Sequence, residues 1–487
     1  VKLLKDILYG VGIVAVNGTT DTMVNAICFD SRKVGLDDVF VAVKGTLVDG
    51  HSYIDTALNA GANAIICETM PVNLVNGITY VQVKNGNAAL AIMASNFYGT
   101  PSKNLKLVGV TGTNGKTTIS SLLYQLFKKA GYKVGLLSTI KIMIDDKEIK
   151  ATHTTPDAIT INKSLAEMNN AGVEFCFMEV SSHGIHQKRI EGLVFEGAIF
   201  TNLSHDHLDY HKSFAEYRDT KKLLFDGLPK TAWALTNIDD KNGSVMLQNT
   251  KAKKQTYALK TYADFRAQIL ENQFSGQLLK IDDNELWSKL IGDFNAYNML
   301  AIYATAQLLG LEKMEILRLL SELENVDGRF QYYISGKNIT AIVDYAHTPD
   351  ALKNVLNTIN ALRTGNEDVI TVVGCGGDRD KSKRPVMGHI ASEMSTKVVF
   401  TSDNPRTESP SEILKEVEAG VEAQNTRKVL TIENREQAIK TACQLAQPKD
   451  IILIAGKGHE TYQETNGVRI DFDDYKIVKQ LLTSLEK

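Results

Sequence analysis

The chain has 487 residues, enough for roughly three domains of about 100 to 200 residues, each able to bury its own core. Its 54 basic and 57 acidic residues leave a net charge of −3, which excludes the basic footprint of a nucleic-acid binder and the like-charge run of an interaction tail, and points to small-molecule partners. Five scattered cysteines, Cys28, Cys67, Cys176, Cys375 and Cys443, form no CxxC pair, so reduced and mostly core thiols are expected rather than a disulfide framework or thiolate metal site. Apolar runs such as IILIA at 451–455 are too short to span a bilayer, and the opening VKLLKDILYG lacks a signal peptide's apolar core and cleavage site; a soluble cytoplasmic protein with no membrane partner is expected.

Residues 1–102 alternate strand-like runs (VFVAVKG, NAIICE, ITYVQV) with helical patterns (SYIDTALNAGA, NAALAIMASNFYG), the mark of a small α/β unit closed by the linker GTPSKNLK. Residues 103–329 begin with LVGVTG, a strand leading through a Gly-rich turn into a helix whose Ile119, Leu122, Leu123, Leu126 and Phe127 lie on one face. VGLLST, EFCFMEV and GAIFTN continue this segment to a helix near FNAYNMLAIYATAQLLG. In residues 330–487, ITAIVDYAH, DVITVVGCGG, KVVFTSDN, KVLTIE and DIILIAGKG alternate with helical stretches, a βαβ rhythm that predicts a parallel, doubly wound sheet with ligands at its strand carboxyl ends. The fold class is therefore α/β in three domains, with a central P-loop-type ATPase sheet and a C-terminal Rossmann-like sheet.

The stretch VTGTNGKTT at 110–118 is placed where backbone N–H groups and a helix N-terminus cradle phosphate, Lys116 reaches the terminal phosphates and Thr117 ligates Mg²⁺, which points to ATP. The usual spacing requires glycine at 110; here Val110 stands there, with Gly109 one residue early. Two further strand-like runs lead to Glu179 and to SHDHLDYH, which carries His205, Asp206, His207, Asp209 and His211. In a parallel sheet both ends fall beside the phosphate loop. A glutamate suits Mg²⁺, whereas imidazoles alone suit Zn²⁺ better; the phosphate loop decides for Mg²⁺. In the third segment DNPR and GKGHE each follow a strand, so Asn404, Arg406, Gly456 and Glu460 are expected to converge at one sheet edge. A guanidinium there reads a carboxylate through two parallel hydrogen bonds. Taken alone, Arg406 is also placed for a surface ion pair with Glu408.

These motifs together resemble the Mur ligases, ATP-dependent peptide-bond-forming enzymes of peptidoglycan precursor synthesis. TGTNGKTT matches the family's ATP loop with its atypical spacing; EVSSH and HDHLDYH match its metal-binding segments; GDFNAYN, DGR and DYAHTP match its later nucleotide-binding segments. DSRKV with DGH, HTTPD at 153–157, GCGGDRDKSKRP, DNPR and GKGHE resemble the branch that adds the third residue to UDP-MurNAc-L-Ala-D-Glu, with DNPR pointing to meso-diaminopimelate rather than L-lysine. The resemblance implies ATP contacts at Thr111, Gly112, Thr113, Asn114, Gly115, Lys116, Thr117, Thr118, Asn295, Arg329 and Asp344. It implies Mg²⁺ at Thr117, Glu179 and His207, and a carbamylated Lys221, preferred over Lys222 by its spacing to Tyr217 and Leu223. UDP-MurNAc-dipeptide contacts are implied at Ser31, Thr154, Thr155, Ser181, Gln187 and Arg189, and diaminopimelate contacts at Arg379, Asp403, Asn404, Arg406, Gly456 and Glu460. Gln331 stands where the family often has an acidic residue and receives no role. The competing readings are an L-lysine-adding synthetase, a folylpolyglutamate synthetase, against which HTTPD and DNPR argue, and a nucleotide-switch ATPase.

Overall fold

In the computed structural model, which describes residues 1–45, 48–151, 153–204, 206 and 210–486, the N-terminal apolar runs become the strands Val39–Val41, Ala64–Cys67 and Thr79–Val83. They are parallel neighbours in a five-stranded sheet that Ile27–Cys28 extends on one side and antiparallel Ile13–Asn17 on the other. The helix Gly86–Phe97 starts where Asn85 accepts a hydrogen bond from the Ala88 N–H, a side-chain cap for an otherwise unpaired donor. It packs Ala89, Leu90 and Met93 on the sheet's Val39, Val41, Ile66 and Val81. The stretch SYIDTALNAGA gives only a short helix, Ile54–Asn59, after a 3₁₀ turn at Gly50–Tyr53.

The chain divides into two compact units: Val1–Gly112, Ile119–Thr201 and Arg218–Thr256 in the first, Thr113–Thr118, Asn202–Tyr217 and Tyr257–Lys487 in the second. The first unit also holds a parallel core of strands in the order Val134–Leu137, Phe175–Glu179, Lys106–Thr111, Gly197–Phe200, Trp233–Asn237. Nearly every residue of these strands is buried, as continuous apolar runs in a sheet covered on both faces must be. The five residues Ile119, Leu122, Leu123, Leu126 and Phe127 are all fully buried, as their spacing requires.

In the second unit the C-terminal runs form Thr340–Asp344, Ile451–Ala455, Val369–Val373, Lys397–Phe400 and Val429–Thr431, adjacent in that order and all parallel. An antiparallel strand, Gln331–Ile334, closes the edge beside Thr340–Asp344. One face packs Leu352, Leu356, Met387 and Leu414; the other packs Ala438, Ile439, Cys443 and Val478. Layers on both faces make the sheet doubly wound.

Two hairpins and a meander were not expected from the sequence. Lys141–Ile144 pairs with Lys147–Lys150, and Tyr462–Thr465 with Val468–Asp471. Phe265–Gln273, Gly276–Ile281 and Asn284–Ser288 form the meander. Their turns are two residues long and carry positive φ at Asp145, at Asp282 and Asp283, and at Asn466 and Gly467. Asp, Asn and Gly tolerate that region, so the hairpin signal sat in the turns. Cys67, Cys176, Cys375 and Cys443 are buried and Cys28 half-buried, all five as free thiols. Among the described residues no helix is long and apolar enough to cross a membrane.

Candidate active site

In the first unit, Lys106–Thr111 lies between Phe175–Glu179 and Gly197–Phe200, with Glu179 opposite Val110 and Phe200 opposite Thr111. The strand that leads into the phosphate loop is thus flanked by both strands that lead to the expected metal ligands. Glu179 is fully buried; Thr139 donates to it from its backbone N–H (2.7 Å) and from Oγ1 (3.1 Å). Thr139 was not singled out from sequence, because a lone threonine carries no signal. The same hydroxyl reaches Thr154 Oγ1 at 3.1 Å. Thr155 Oγ1 donates to the Glu179 carbonyl (2.9 Å) and accepts from the Ser181 N–H (2.9 Å). Ser181 caps the short helix Ser182–His186 by accepting from Gly184 N–H, and Arg189 donates to the Thr155 carbonyl and twice to Gln187 Oε1. Five of the six residues implied for the UDP-MurNAc-dipeptide therefore form one network with Glu179. Ser31 opens the 3₁₀ turn Ser31–Lys33 of the N-terminal sheet, outside that network.

Lys221, 1 % exposed, donates to the Gly112 carbonyl at 2.9 Å. Lys222 instead pairs with Asp226 at 2.7 Å one helical turn on, the ordinary i,i+4 ion pair. His207, with His205 and Asp209, lies outside the described residues. The Thr117 hydroxyl and the Glu179 carboxylate are hard oxygen donors of the kind Mg²⁺ takes, and their chemistry fits that ion.

In the second unit the loop Thr113–Thr118 is held by its neighbours. Thr113 N–H donates to the Asn202 carbonyl (2.8 Å), Asn114 N–H to Asn202 Oδ1 (3.0 Å), and Thr113 Oγ1 meets Tyr217 Oη at 3.1 Å. Gly115 adopts φ of 90°, a conformation side chains avoid, and opens the helix Lys116–Lys129. Lys116 Nζ donates back to the Thr113 carbonyl at 2.8 Å. Thr117 Oγ1 accepts from Arg329 Nη2 at 3.1 Å, and the Arg329 guanidinium lies 4.5 Å over the Tyr345 ring. His347 and His459 flank that ring at 4.5 and 4.9 Å. Burial, then the Lys383 charge, pushes His347 down to about 4; burial, then Arg329, pushes His459 down to about 3. Both imidazoles are neutral near pH 7, so the arginine is braced by an aromatic cluster that adds no charge. Asp344, raised by burial and lowered in part by Arg329, accepts from Phe330 N–H (2.7 Å) and Ala346 N–H (2.8 Å), tying the strand end to the turn that carries Arg329. Gly328 is required there, since a Cβ would stand 2.0 Å from the His459 backbone nitrogen. Asn295 is buried; its Nδ2 donates to the Ile291 carbonyl and its Oδ1 accepts from Asn298 Nδ2.

The strand ends of the C-terminal sheet bring Asp403, Asn404, Arg406, Gly456 and Glu460 together. Asn404 Nδ2 donates to Glu460 Oε2 at 2.7 Å, Asn404 N–H to Asp403 Oδ1 at 2.7 Å, and a Cβ on Gly456 would meet Asp403 Oδ2 at 2.7 Å. Burial and the Asp403 charge raise Glu460. Arg406 adopts φ of 51°, unusual for a non-glycine, and is clamped by Arg406 N–H to the Glu464 carbonyl (3.1 Å), Asn466 N–H to its carbonyl (2.7 Å) and its Nη1 to the Gly377 carbonyl (2.8 Å). It does not pair with Glu408. That carboxylate is taken by Arg384 (2.9 and 3.0 Å) and Lys381 (3.1 Å), and Arg384 holds it down to about 2. Arg379 is exposed on the neighbouring loop and donates to the Asp378 carbonyl. Sequence reading missed Lys457, which lies inside GKGHE, is fully buried and reaches both Asn404 and Glu460. It also missed Arg435, buried with Asp474 as a two-bond ion pair (2.9 and 2.7 Å) whose guanidinium donates to the carbonyls of Ser402 and Ala455, immediately before Asp403 and Gly456.

Three family signatures match successive parts of the chain: "Mur ligase family, catalytic domain" over 23–98, "Mur ligase middle domain" over 110–306 and "Mur ligase, glutamate ligase domain" over 328–458. A relative from Cytophaga hutchinsonii named UDP-N-acetylmuramoyl-L-alanyl-D-glutamate–2,6-diaminopimelate ligase is 56% identical over 485 residues, covering 99% of this chain and 100% of the relative. A solved structure bearing the same name has a TM-score of 0.70 and 31% identity, covering 100% of this chain and 99% of the other. A MurF ligase from Thermotoga maritima, solved in complex with ADP, has a TM-score of 0.63 at 20% identity, covering 95% and 98%, and shares the fold. The chain belongs to the Mur ligase family.

Proposed function

We propose that the chain is an ATP-dependent ligase that joins meso-diaminopimelate to the D-Glu side-chain carboxylate of UDP-MurNAc-L-Ala-D-Glu, in the cytoplasm, as a step of peptidoglycan precursor synthesis. Residues 1–102 serve to bind the UDP-MurNAc end, 103–329 ATP, and 330–487 the incoming amino acid. The observation that carries this reading is the cluster of Arg406, Asn404 and Glu460 at the strand ends of a chain 56% identical over its length to a ligase named for diaminopimelate.

A carboxylate resists an amine nucleophile because its leaving group is oxide, so it is first activated. In this reading the D-Glu carboxylate attacks the γ-phosphorus of ATP, giving an acyl phosphate and ADP; the diaminopimelate amine then displaces phosphate and loses a proton. Lys116 leaves the Thr113 carbonyl for the transferring phosphoryl group, where its charge stabilises the transition state. Arg329, already on Thr117, adds a second cation on the nucleotide side. Thr117, Glu179, His207 and a carbamylated Lys221 would hold Mg²⁺, which when bound neutralises charge on the phosphate oxygens. A carbamate on Lys221 retains one N–H for the Gly112 carbonyl while turning a cation into an anion. Thr154, Thr155, Ser181, Gln187 and Arg189 orient the peptide end of the nucleotide substrate beside Glu179. Orientation of three reactants supplies several of the roughly 7 to 11 kcal/mol available to well-aligned groups.

The test is phosphate release by the purified protein with each substrate omitted in turn. Release that requires ATP, UDP-MurNAc-L-Ala-D-Glu and meso-diaminopimelate together is expected; steady release with ATP alone refutes the ligase reading.

A further inference from the structure

Asn404 is 1 % exposed, and its surroundings leave its amide a single orientation. Two groups face Oδ1: Lys457 Nζ at 3.1 Å and the Glu464 backbone N–H at 2.9 Å. Both only donate, so the oxygen must be the atom turned toward them. They use both of its lone pairs. On the other side Nδ2 donates one hydrogen to Glu460 Oε2, and its second hydrogen is the only hydrogen-bonding capacity the side chain has left for a ligand. Lys457 is fully buried, lies 5.5 Å over the Tyr462 ring and also reaches Glu460 Oε2 at 3.3 Å. Its ammonium thus meets the same Glu460 oxygen that Asn404 Nδ2 meets.

We infer that Lys457 is a positioning residue that sets the polarity of the amino-acid subsite. By occupying Asn404 Oδ1 it presents the amide's donor edge, so that Asn404 and Arg406 together receive the distal carboxylate of a diamino diacid. By reaching Glu460 Oε2 as well, it holds that carboxylate beside Asn404. Lysine brings the ammonium and nothing for the two donors, and a desolvated donor left without a partner costs affinity. This inference rests on the reading of meso-diaminopimelate as the substrate.

The experiment compares Lys457→Met, Lys457→Arg and wild type by phosphate release, varying each of the three substrates in turn. For Lys457→Met, KM for meso-diaminopimelate should rise about ten-fold or more and the meso-diaminopimelate over L-lysine preference should fall by a similar factor. KM for ATP and for the UDP-MurNAc-dipeptide should stay close to wild type, which a merely structural lesion would not spare. Lys457→Arg, which retains a donor and the charge, should recover much of the preference. If Lys457→Met does not fold, Asn404→Asp gives the decision: an acceptor in place of the free amide hydrogen should abolish the preference, and a retained preference overturns the inference. An unchanged diaminopimelate KM and preference in folded Lys457→Met, while wild type prefers meso-diaminopimelate, overturns the role of Lys457 alone. A wild type that ligates neither diamino acid overturns the substrate reading and this inference with it.

Discussion

Arg406→Ala separates recognition from folding, because the arginine's backbone is held independently of its side chain. The hydrogen bonds of its N–H to Glu464 and of its carbonyl to Asn466 survive the substitution. Truncation removes the hydrogen bond from Nη1 to the Gly377 carbonyl, worth about 1 kcal/mol for a half-exposed donor. Breaking a buried, hydrogen-bonded charge pair in a complex costs about 2 to 5 kcal/mol. Arg406 is only half-buried, so the low end applies: about 2 kcal/mol, or about thirty-fold. With ATP and UDP-MurNAc-L-Ala-D-Glu saturating, kcat/KM for meso-diaminopimelate should fall about thirty-fold while that for L-lysine changes by less than about three-fold. The ratio of the two is the readout, since lysine has no distal carboxylate to lose. A parallel fall for both amino acids, with the ratio intact, refutes the assignment of Arg406 to that carboxylate.

Lys221→Ala should lose at least about a hundred-fold in kcat, with part restored by short-chain carboxylates that supply the missing anion; full activity without them refutes the carbamate. Arg435→Met leaves Asp474 charged and buried and should destabilise the second unit by about 3 to 5 kcal/mol in urea unfolding. The double variant Arg435→Met with Asp474→Leu should cost clearly less, and equal losses refute the ion-pair account. Glu408, held down to about 2 by Arg384 against an ordinary 4.5, contributes stability that is full above 4.5 and is lost as the pH falls toward 2. Arg384→Met should therefore flatten the fall in denaturation midpoint between pH 5 and pH 3, and an unchanged slope contradicts that source of stability.

What the sequence made legible follows from how strongly each feature constrains neighbouring residues. Buried parallel strands such as Ile451–Ala455 are unbroken apolar runs, and the helix after the phosphate loop repeats apolar residues on one face, so both were readable. The hairpin Tyr462–Thr465 with Val468–Asp471 was not, because both strands are largely polar and only Asn466-Gly467 marks the turn. That hairpin nevertheless holds Asn404 and Arg406 through Glu464 and Asn466. Among candidate site residues, those in short motifs were readable from the sequence, while the residues that hold them in place were not. Thr139 meets Glu179 across 40 residues and Arg435 meets Asp474 across 39, separations at which a lone threonine or a lone arginine carries no local pattern. Lys457 lies within GKGHE, yet nothing in that motif says that its ammonium turns inward. The ion pair between Arg406 and Glu408 was plausible from spacing alone, and Arg384 forestalls it by taking that carboxylate from 24 residues away.

The central claim is a choice of amino acid coupled to ATP cleavage, and one competition reaction tests it. The protein is given ATP, UDP-MurNAc-L-Ala-D-Glu and equal amounts of meso-diaminopimelate and L-lysine, and the nucleotide-linked products are resolved by mass spectrometry alongside ADP. The account predicts that the diaminopimelate tripeptide predominates and that ADP forms in equal amount. ADP without tripeptide, or a product mixture dominated by the lysine tripeptide, contradicts it.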